Sequence, residues 1–306
     1  PAGGPTPTLN WLSLVNLSNR ELRGQIEVRS SDVREAPRVI GFTISLGGRR
    51  DFALGHPLGQ QVGMYRILPA DPQQQFAAQL MRYGTDGTNY RFAFPLEAQK
   101  GNCDSGAIAL STMGPATDWL EVGNVTATSV RASVELRRVD GSLIEVRSML
   151  LEPFEQRHLH INPLLGDLRI GSARVRCDSG GVVAQSMLYG IGDERQVRWA
   201  YASTSSVGKA EQSCSTVFPT NTYLGAANWI KAISQESGER VQVVLHGARG
   251  ELVASRSVGD IPKLGELDIP AHEISGTDFT GGVTVTPGAD RSLALSMVRV
   301  FPAGAA

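Results

Sequence analysis

One short pattern, a polar residue followed by Trp and then by alternating apolar positions, occurs three times in this 306-residue chain. The copies span residues 10–16, 118–124 and 228–234, and their tryptophans, Trp11, Trp119 and Trp229, are separated by 108 and then 110 residues. A fixed period of this size indicates three copies of one domain rather than a short solenoid repeat. Each domain is long enough to bury a core of its own.

The apolar residues between these tryptophans recur in short alternating segments. Residues 130–139 and 143–151 alternate on either side of Asp140-Gly141, a pair typical of a two-residue hairpin. Strands at intervals of about eight to twelve residues, without an amphipathic helical pattern, favour an all-β, antiparallel, immunoglobulin-like sandwich. We therefore expect three tandem sandwiches, at residues 1–92, 93–200 and 201–306.

Two related connectors, at residues 91–110 and 198–218, join the copies, and each contains two short apolar alternations. We interpret the first half of each connector as a strand that finishes one sandwich and the second half as a strand that begins the next. One connector half is missing at each end of the chain, so the first and third sandwiches are expected to have unpaired sheet edges. An open edge is a template for another chain, which predicts head-to-tail association of copies as a ring or a filament.

The overall composition excludes some classes of protein. A net charge of −1 gives no indication of a nucleic-acid partner, and no apolar run approaches the roughly 18 residues of a membrane span. Residues 1–8, which are rich in Pro, Gly and Thr, predict an extended arm. A start at Pro1 suggests removal of a secretory signal, the alternative being an arbitrary point of truncation.

The chain has three cysteines, Cys103, Cys177 and Cys214. Cys103 and Cys214 precede the next tryptophan by 16 and 15 residues, so they occupy one position in successive connectors. We expect Cys177 to form a disulfide with either Cys103 or Cys214, leaving one thiol free or in an intermolecular link. The Asp-Ser-Gly that follows Cys103 and Cys177 indicates a turn rather than a reactive thiol site.

Three motifs of the second copy carry a resemblance to known proteins: Trp119-Leu120, the strand from Val134 to Asp140-Gly141, and Val-Val-Ala-Gln-Ser at 182–186. In these motifs the chain resembles secreted bacterial proteins with tandem Asn-Trp-Leu sandwich repeats, and the sandwich is similar to the sensory-rhodopsin-transducer type. The resemblance covers all three copies and implies a fold and an extracellular setting, but no activity. The first copy departs from it, since it lacks the Asp-Gly hairpin and carries an inserted polar connection.

His158 and His160 are two residues apart in a predicted strand, so both side chains point to one face. Two imidazoles could bind a metal ion if a neighbouring strand supplied a third ligand. Our alignment of the copies predicts Glu266 and Asp268 at these positions of the third copy, which favours a polar, solvent-facing strand instead. We predict neither a metal site nor a cofactor.

Asn16 and Asn124 begin Asn-x-Ser/Thr sequences at equivalent positions of two copies. These sequences match the glycosylation sequon, but we prefer an Asx turn that ends the Trp strand, because such turns require the Asn side chain. Trp11, Trp119, Trp229 and Trp199 could form a platform for sugars. Because three of them recur at one position of an apolar strand, we instead predict that Trp11, Trp119 and Trp229 form a structural repeat core or pack at domain junctions.

The sequence contains no phosphate-binding loop, nucleophile elbow or paired-carboxylate motif, and we predict no catalytic residue. The first hypothesis is a secreted or cell-surface bacterial structural protein that is not an enzyme. It would self-associate as a filament, coat or appendage subunit, or bind other surface proteins. The alternative is a module that binds glycan or another surface ligand, and an enzyme without a recognisable motif is third.

Overall fold

The computed structural model describes residues 8–32, 34–54, 63–85, 89–192, 197–204, 216–235, 239–287 and 293–300. These residues form six sheets, in which every pair of neighbouring strands is antiparallel. The sheets group along the chain into three pairs, and a separate apolar core lies between the two sheets of each pair. The predicted all-β class, with antiparallel sandwiches, is confirmed.

The first sandwich contains seven strands of the described chain. They are β1 (Thr8–Asn16), β2 (Leu22–Ser30), β3 (Arg38–Ile44), β4 (Arg49–Ala53), β5 (Gly63–Pro69), β6 (Phe76–Thr85) and β7 (Tyr90–Glu97). One sheet has the order β4-β1-β6-β7 and the other β3-β2-β5. The core between them is formed mainly by aliphatic and aromatic residues of β1 to β4, including Leu14, Leu22 and Ile26, which are fully buried.

The second sandwich contains eight strands and one short helix. They are β8 (Asp104–Ser111), β9 (Ala116–Asn124), β10 (Val130–Arg138), β11 (Leu143–Leu151), β12 (Gln156–His160), α1 (Asn162–Leu165), β13 (Ile170–Cys177), β14 (Val182–Ile191) and β15 (Val197–Thr204). Its sheets have the orders β12-β9-β14-β15 and β11-β10-β13-β8. Residues 162–165 form α1, which the sequence did not predict.

The third sandwich repeats this plan. Its elements are β16 (Thr216–Asn221), β17 (Ala227–Ser234), β18 (Glu239–Gly247), β19 (Leu252–Ile261), β20 (Glu266–Pro270), α2 (Ala271–Ser275), β21 (Thr280–Pro287) and β22 (Leu293–Val300). The sheet orders are β16-β21-β18-β19 and β20-β17-β22. Strand for strand, β1, β9 and β17 occupy the same central place in their sheets.

Each connector contains the last strand of one sandwich and the first strand of the next, as its two apolar alternations predicted. Strand β7 pairs with β6 and completes a sheet of the first sandwich, whereas β8 pairs with β13 and belongs to the second. Likewise β15 pairs with β14, and β16 with β21. The predicted divisions after residues 92 and 200 therefore fall inside β7 and β15, because both strands continue a sheet of the preceding sandwich.

Two of the six sheets have three strands in the described chain, where the corresponding sheets have four. Among the described residues, no strand lies beyond β5 in the sheet β3-β2-β5, at the place that β8 takes beside β13 in the second sandwich. The described part of the chain likewise provides no strand beyond β22 in the sheet β20-β17-β22, at the place of β7 and β15. Within the described residues, these are the two open edges that the missing connector halves predict.

A disulfide joins Cys103, just before β8, to Cys177 at the end of β13. The backbone reinforces this link, because the amide of Cys177 donates a hydrogen bond of 3.0 Å to the carbonyl of Cys103. This is one of the two pairings expected for Cys177. Cys214 lies outside the described residues.

The prediction that Trp11 is buried, in a core or at a domain junction, is wrong. Along β1, Leu12 and Leu14 are buried, whereas Trp11 between them is 43% exposed. Since side chains alternate between the two faces of a strand, burial of the leucines directs Trp11 away from the core. Trp119 and Trp229 point to the same outer face and are only partly buried there.

Candidate interaction surfaces

The tryptophans mark one face of each sandwich, which we call the head face. It is the side of the sheet containing β1, β9 or β17 that points away from that sandwich's own core. The pairing register is the same in each case: Trp11 lies opposite Met81, Trp119 opposite Met187 and Trp229 opposite Val298. The three tryptophans are thus equivalent positions of three head faces.

At the first junction, between the first and second sandwiches, β7 covers the head face of the second sandwich. The side chains of Phe92, Phe94 and Leu96 pack in one apolar cluster with Met187 and Tyr189. Trp119 and residues of β15 pack against the same cluster. This contact leaves Met187 fully buried and Tyr189 only 6% exposed.

A polar group from the first sandwich also reaches this head face. Arg82 donates from Nε to Asn10 Oδ1 at 3.1 Å and from Nη1 to the hydroxyl of Tyr189 at 3.5 Å. Burial works against the charge of Arg82, but Tyr189 and Glu121 outweigh it and raise the pKa of the guanidinium. The positive charge of the first sandwich is therefore retained at the junction.

Glu121 is the main acceptor of the second sandwich at this junction. It is buried, and its Oε2 accepts hydrogen bonds from Gln185 at 2.7 Å and Gln156 at 3.2 Å. Its Oε1 lies 3.6 Å from Nε2 of His158. Burial lowers the pKa of His158 despite the opposing effect of Glu121, so the imidazole is neutral near pH 7.

His158 and His160 share one face, as their spacing predicted, but the expectation that this face meets solvent is wrong. The side chain of His158 is 13% exposed, and the ring of His160 stacks on Trp119 with centroids 4.5 Å apart. The face is covered because it belongs to the junction. The described residues contain no group of three His, Cys, Asp or Glu side chains that could hold a metal ion.

The alignment of these histidines with the third sandwich also needs correction. His158 lies opposite Glu121, and Asp268 lies opposite Lys231. His158 therefore corresponds to Asp268 and not to Glu266, a shift of two residues. A shift of two preserves which face a side chain takes, so the alternating pattern alone could not detect it.

At the second junction, between the second and third sandwiches, a buried lysine replaces Glu121. Lys231, only 4% exposed, donates from Nζ to Glu266 at 3.2 Å and to both carboxylate oxygens of Asp268 at 3.0 Å. Burial opposes the charge of Lys231, but Glu266, Tyr201 and Asp268 outweigh it and raise its pKa. Burial also raises the pKa of Glu266 well above its usual value.

Two further titratable groups of the second sandwich are buried near Lys231. Burial raises the pKa of the Tyr201 hydroxyl. Burial likewise raises the pKa of Asp118 to about 7, although Asp118 accepts hydrogen bonds from Ser186 Oγ at 2.6 Å and from the amide of Ser111 at 2.8 Å. Asp118 corresponds to a neutral Asn in each of the other two sandwiches.

The apolar part of the second junction is small. Ala107 and Ala109 of β8 form a buried cluster with Ile233 and Ala294 of the third sandwich. Next to it, the amide of Glu266 donates to the carbonyl of Val139 at 2.9 Å, which ties the β10–β11 hairpin to the third sandwich.

No described residue of another sandwich covers the head face of the first sandwich. Trp11 and Leu9 are 43% and 38% exposed, and Met81 and Tyr83 are partly exposed. Tyr90 is 67% exposed, and its ring lies 5.3 Å from that of Tyr83, centroid to centroid. These residues form an exposed apolar and aromatic patch on the first sandwich.

The two sequons form Asx turns, as predicted. The side-chain oxygens of Asn16 and Asn124 each accept a 2.9 Å bond from the amide two residues later, of Ser18 and Thr126. Both Asn side chains are buried, and their Nδ2 atoms donate to backbone carbonyls. A buried and fully engaged amide is not available to carry a glycan.

Sequence reasoning missed the charged residues of the junctions. Ser13, Glu121 and Lys231 all lie two residues after the repeated Trp, and the pairing register places them at one position of the head face. The signal for this position was present, since it varies between neutral, acidic and basic while its neighbours stay apolar. No described helix is long and apolar enough to cross a membrane.

Comparison with known proteins adds no assignment. No protein-family model matches the chain, and no curated protein matches it.

Proposed function

We propose that this chain is a non-catalytic structural protein of the bacterial cell exterior that acts through its surfaces and associates with copies of itself. The observation that carries the proposal is the repeated head face. Two of its three copies are covered by the preceding sandwich, and the third, around Trp11, is exposed. Two head faces are covered by a neighbouring sandwich of the same chain. We therefore expect the exposed third head face to be covered by a sandwich of another copy.

The disulfide supports the extracellular part of this proposal. Disulfides between structural strands form and persist in oxidising compartments and are rare in the cytosol. The Cys103–Cys177 link joins two neighbouring strands of one sheet, where it has a structural role.

The test of self-association is the size of the full chain in solution. We expect its mass, measured by light scattering, to increase with concentration, and negative-stain images at high concentration to show rows or rings of sandwiches. A chain that stays monomeric at every concentration, with no assemblies in the images, would refute the proposal.

A second candidate function is glycan binding by the patch of Trp11, Tyr83 and Tyr90. Exposed aromatic rings on one face can stack on sugar rings, and these three are partly or largely exposed. Oligosaccharides that bind there are expected to change the fluorescence of Trp11. Loss of that change in Trp11→Ala, and its retention in Tyr223→Ala, would support this candidate; an array of glycans without a binder would contradict it.

A further inference from the structure

We propose that the head face of the first sandwich binds the third sandwich of a second copy, at the open edge of β22. This inference rests on the proposed self-association and names the surfaces that carry it. The occupant is inferred from the two junctions inside the chain, where the end of one sandwich already meets the head face of the next.

The first step is the identity of the head face. Trp11, Met81 and Tyr83 occupy the register positions of Trp119, Met187 and Tyr189. All three residue types are the same. In the second sandwich the Met and Tyr are buried by the preceding sandwich, whereas in the first all three are partly or largely exposed.

The second step is the surface that would cover it. In the first junction, Leu80 and Arg82 of β6 face the second sandwich together with β7. The pairing register places Met297 and Arg299 of β22 at the positions of Leu80 and Arg82.

The two arginines share one contact. Arg299 donates from Nε to Asn228 Oδ1 at 2.9 Å, as Arg82 donates to Asn10 at 3.1 Å. Arg299 also donates from Nη2 to the carbonyl of Pro219 in β16 at 2.9 Å, and Met297 packs against the core of its own sandwich. The third sandwich therefore has an arginine at the register position of Arg82, beside the edge of β22. Because Arg299 is exposed, this edge is accessible to a second copy.

The third step is charge. In the first junction, Arg82 of the preceding sandwich reaches the head face that contains the acidic Glu121, where its Nη1 donates to the Tyr189 hydroxyl at 3.5 Å. The head face of the first sandwich has Ser13 at that position, but Asp51 lies directly opposite Ser13 in the pairing register. Asp51 is part of an exposed pair with Arg49, so a carboxylate is present at the place where Arg299 of a second copy would arrive.

The geometry of the contact determines the kind of assembly. The two surfaces lie on different sandwiches, and they are not the same patch. A contact between different patches continues from copy to copy and produces a ring or an open filament, not a two-fold dimer.

The experiment is sedimentation velocity of the full chain and of matched variants over a wide range of concentration. We expect Trp11→Ala to weaken self-association by at least about tenfold, because a large aromatic anchor is lost. Leu150→Ala is the control, since Leu150 is 47% exposed and lies in β11 of the second sandwich, which contributes to neither surface. It is expected to associate as the unchanged chain does.

A charge exchange tests the partner surface independently. Arg299→Glu and Asp51→Arg should each weaken association, and the double variant should recover a substantial part of the loss. Circular dichroism of each variant checks that the sandwiches remain folded.

The outcomes separate this inference from the proposed function. If the unchanged chain associates but Trp11→Ala and the charge variants associate equally well, the interface lies elsewhere and the inference is refuted while self-association stands. If the unchanged chain never associates, both fail. Association that Trp11→Ala weakens, without recovery in the charge exchange, would overturn the role of β22 as the occupant.

Discussion

The two internal junctions use equivalent positions for opposite chemistry. Two residues after the repeated Trp, the first junction has Glu121, which interacts with Arg82 of the preceding sandwich. The second has Lys231, which is neutralised by Glu266 and Asp268 of its own sandwich. The fold thus determines where a buried charge lies, and the sequence of each sandwich determines its sign.

This difference bears on which sandwiches can meet. Burying an unpaired charge costs several kcal/mol, so a head face with Glu121 disfavours a neighbour that offers another acid. On the other head face, Lys231 is paired with acidic residues of its own sandwich. The neighbouring sandwich therefore does not need to supply an opposite charge. We infer that the first junction is the more selective of the two, and the following changes test the comparison in order of decreasing effect.

The largest effect is expected from removing the buried cation of the second junction. Lys231→Met leaves Glu266 and Asp268 without their partner in a buried site, which is expected to lower the free energy of unfolding by about 3–5 kcal/mol. The control is Arg240→Met, because the Arg240–Asp260 pair of the same sandwich is largely exposed. Chemical denaturation should show a change within about 0.5 kcal/mol for the control. Equal effects of the two changes would contradict the importance of burial.

The second prediction concerns how the stability of the folded protein depends on pH through Asp118, which lies near the second junction. The pKa of Asp118 is about 7 in the folded protein against an ordinary value of 3.8, so the folded state binds its proton more tightly than the unfolded state. The stabilising contribution is therefore complete below about pH 4 and is lost as the pH rises through about 7. Over that window it amounts to about 4 kcal/mol.

Asp118→Asn tests this, because the other two sandwiches have Asn at the same position. The difference in unfolding free energy between the unchanged chain and the variant should favour the unchanged chain more at pH 4 than at pH 8. Urea denaturation across this range provides the measurement. Parallel pH profiles for the two proteins would show that Asp118 does not carry the dependence.

The third prediction distinguishes two costs of replacing a glycine: the cost of the left-handed backbone conformation and the cost of a steric clash at the second junction. Gly141 and Gly250 lie in equivalent hairpins with φ of 82° and 83°. A Cβ on Gly141 would lie 2.0 Å from the carbonyl oxygen of Lys263, whereas a Cβ on Gly250 meets nothing within 4 Å. Both Gly→Ala changes incur about 1–2 kcal/mol for the left-handed conformation.

Gly141→Ala should cost at least about 1 kcal/mol more than Gly250→Ala, since the neighbouring sandwich must also move. Thermal unfolding of both variants measures the difference. Equal losses would show that the hairpin and the third sandwich are not in close contact in solution.

The smallest effect is expected at the first junction. Arg29 and Arg66 of the first sandwich lie 4.0 and 4.3 Å from the ring centre of Phe154 in the second. Phe154 has φ of 60°, and the equivalent turn of the third sandwich has Leu264 with φ of 58°. Phe154→Leu should therefore keep the turn and lose about 1 kcal/mol of cation–π stabilisation, as measured by denaturation. An unchanged stability would indicate that the two arginines gain nothing from the ring.

Much of the fold was predictable because it depends on local pattern. Alternation identified the strands, the repeated Asn16 and Asn124 identified the Asx turns, and the two-part connectors identified which sheets have an open edge. Each of these features is specified by neighbouring residues in the sequence. The partner of Cys177, either Cys103 or Cys214, could not be predicted from neighbouring residues, because it depends on which strands lie side by side in the fold.

The candidate surfaces were less predictable. Along a strand such as β9, both faces are covered, one by the core and one by the adjoining sandwich, so an alternating pattern cannot assign Trp119 to either. The same ambiguity led to the wrong location for Trp11. The charges of Glu121 and Lys231 could be located in the sequence, but their partners come from other strands, and in one case from another sandwich.

The disulfide has a mechanical consequence for a protein that is pulled from its two ends. The bond between Cys103 and Cys177 spans 74 positions of the chain, and it lies near the start of the second sandwich. When that sandwich unfolds under tension, the force passes through the disulfide bond. The chain between the two cysteines then cannot extend, although its extended length would be roughly 250 Å. The middle segment would thus lengthen far less under tension than a segment without such a bond, and adding a reductant would release that length.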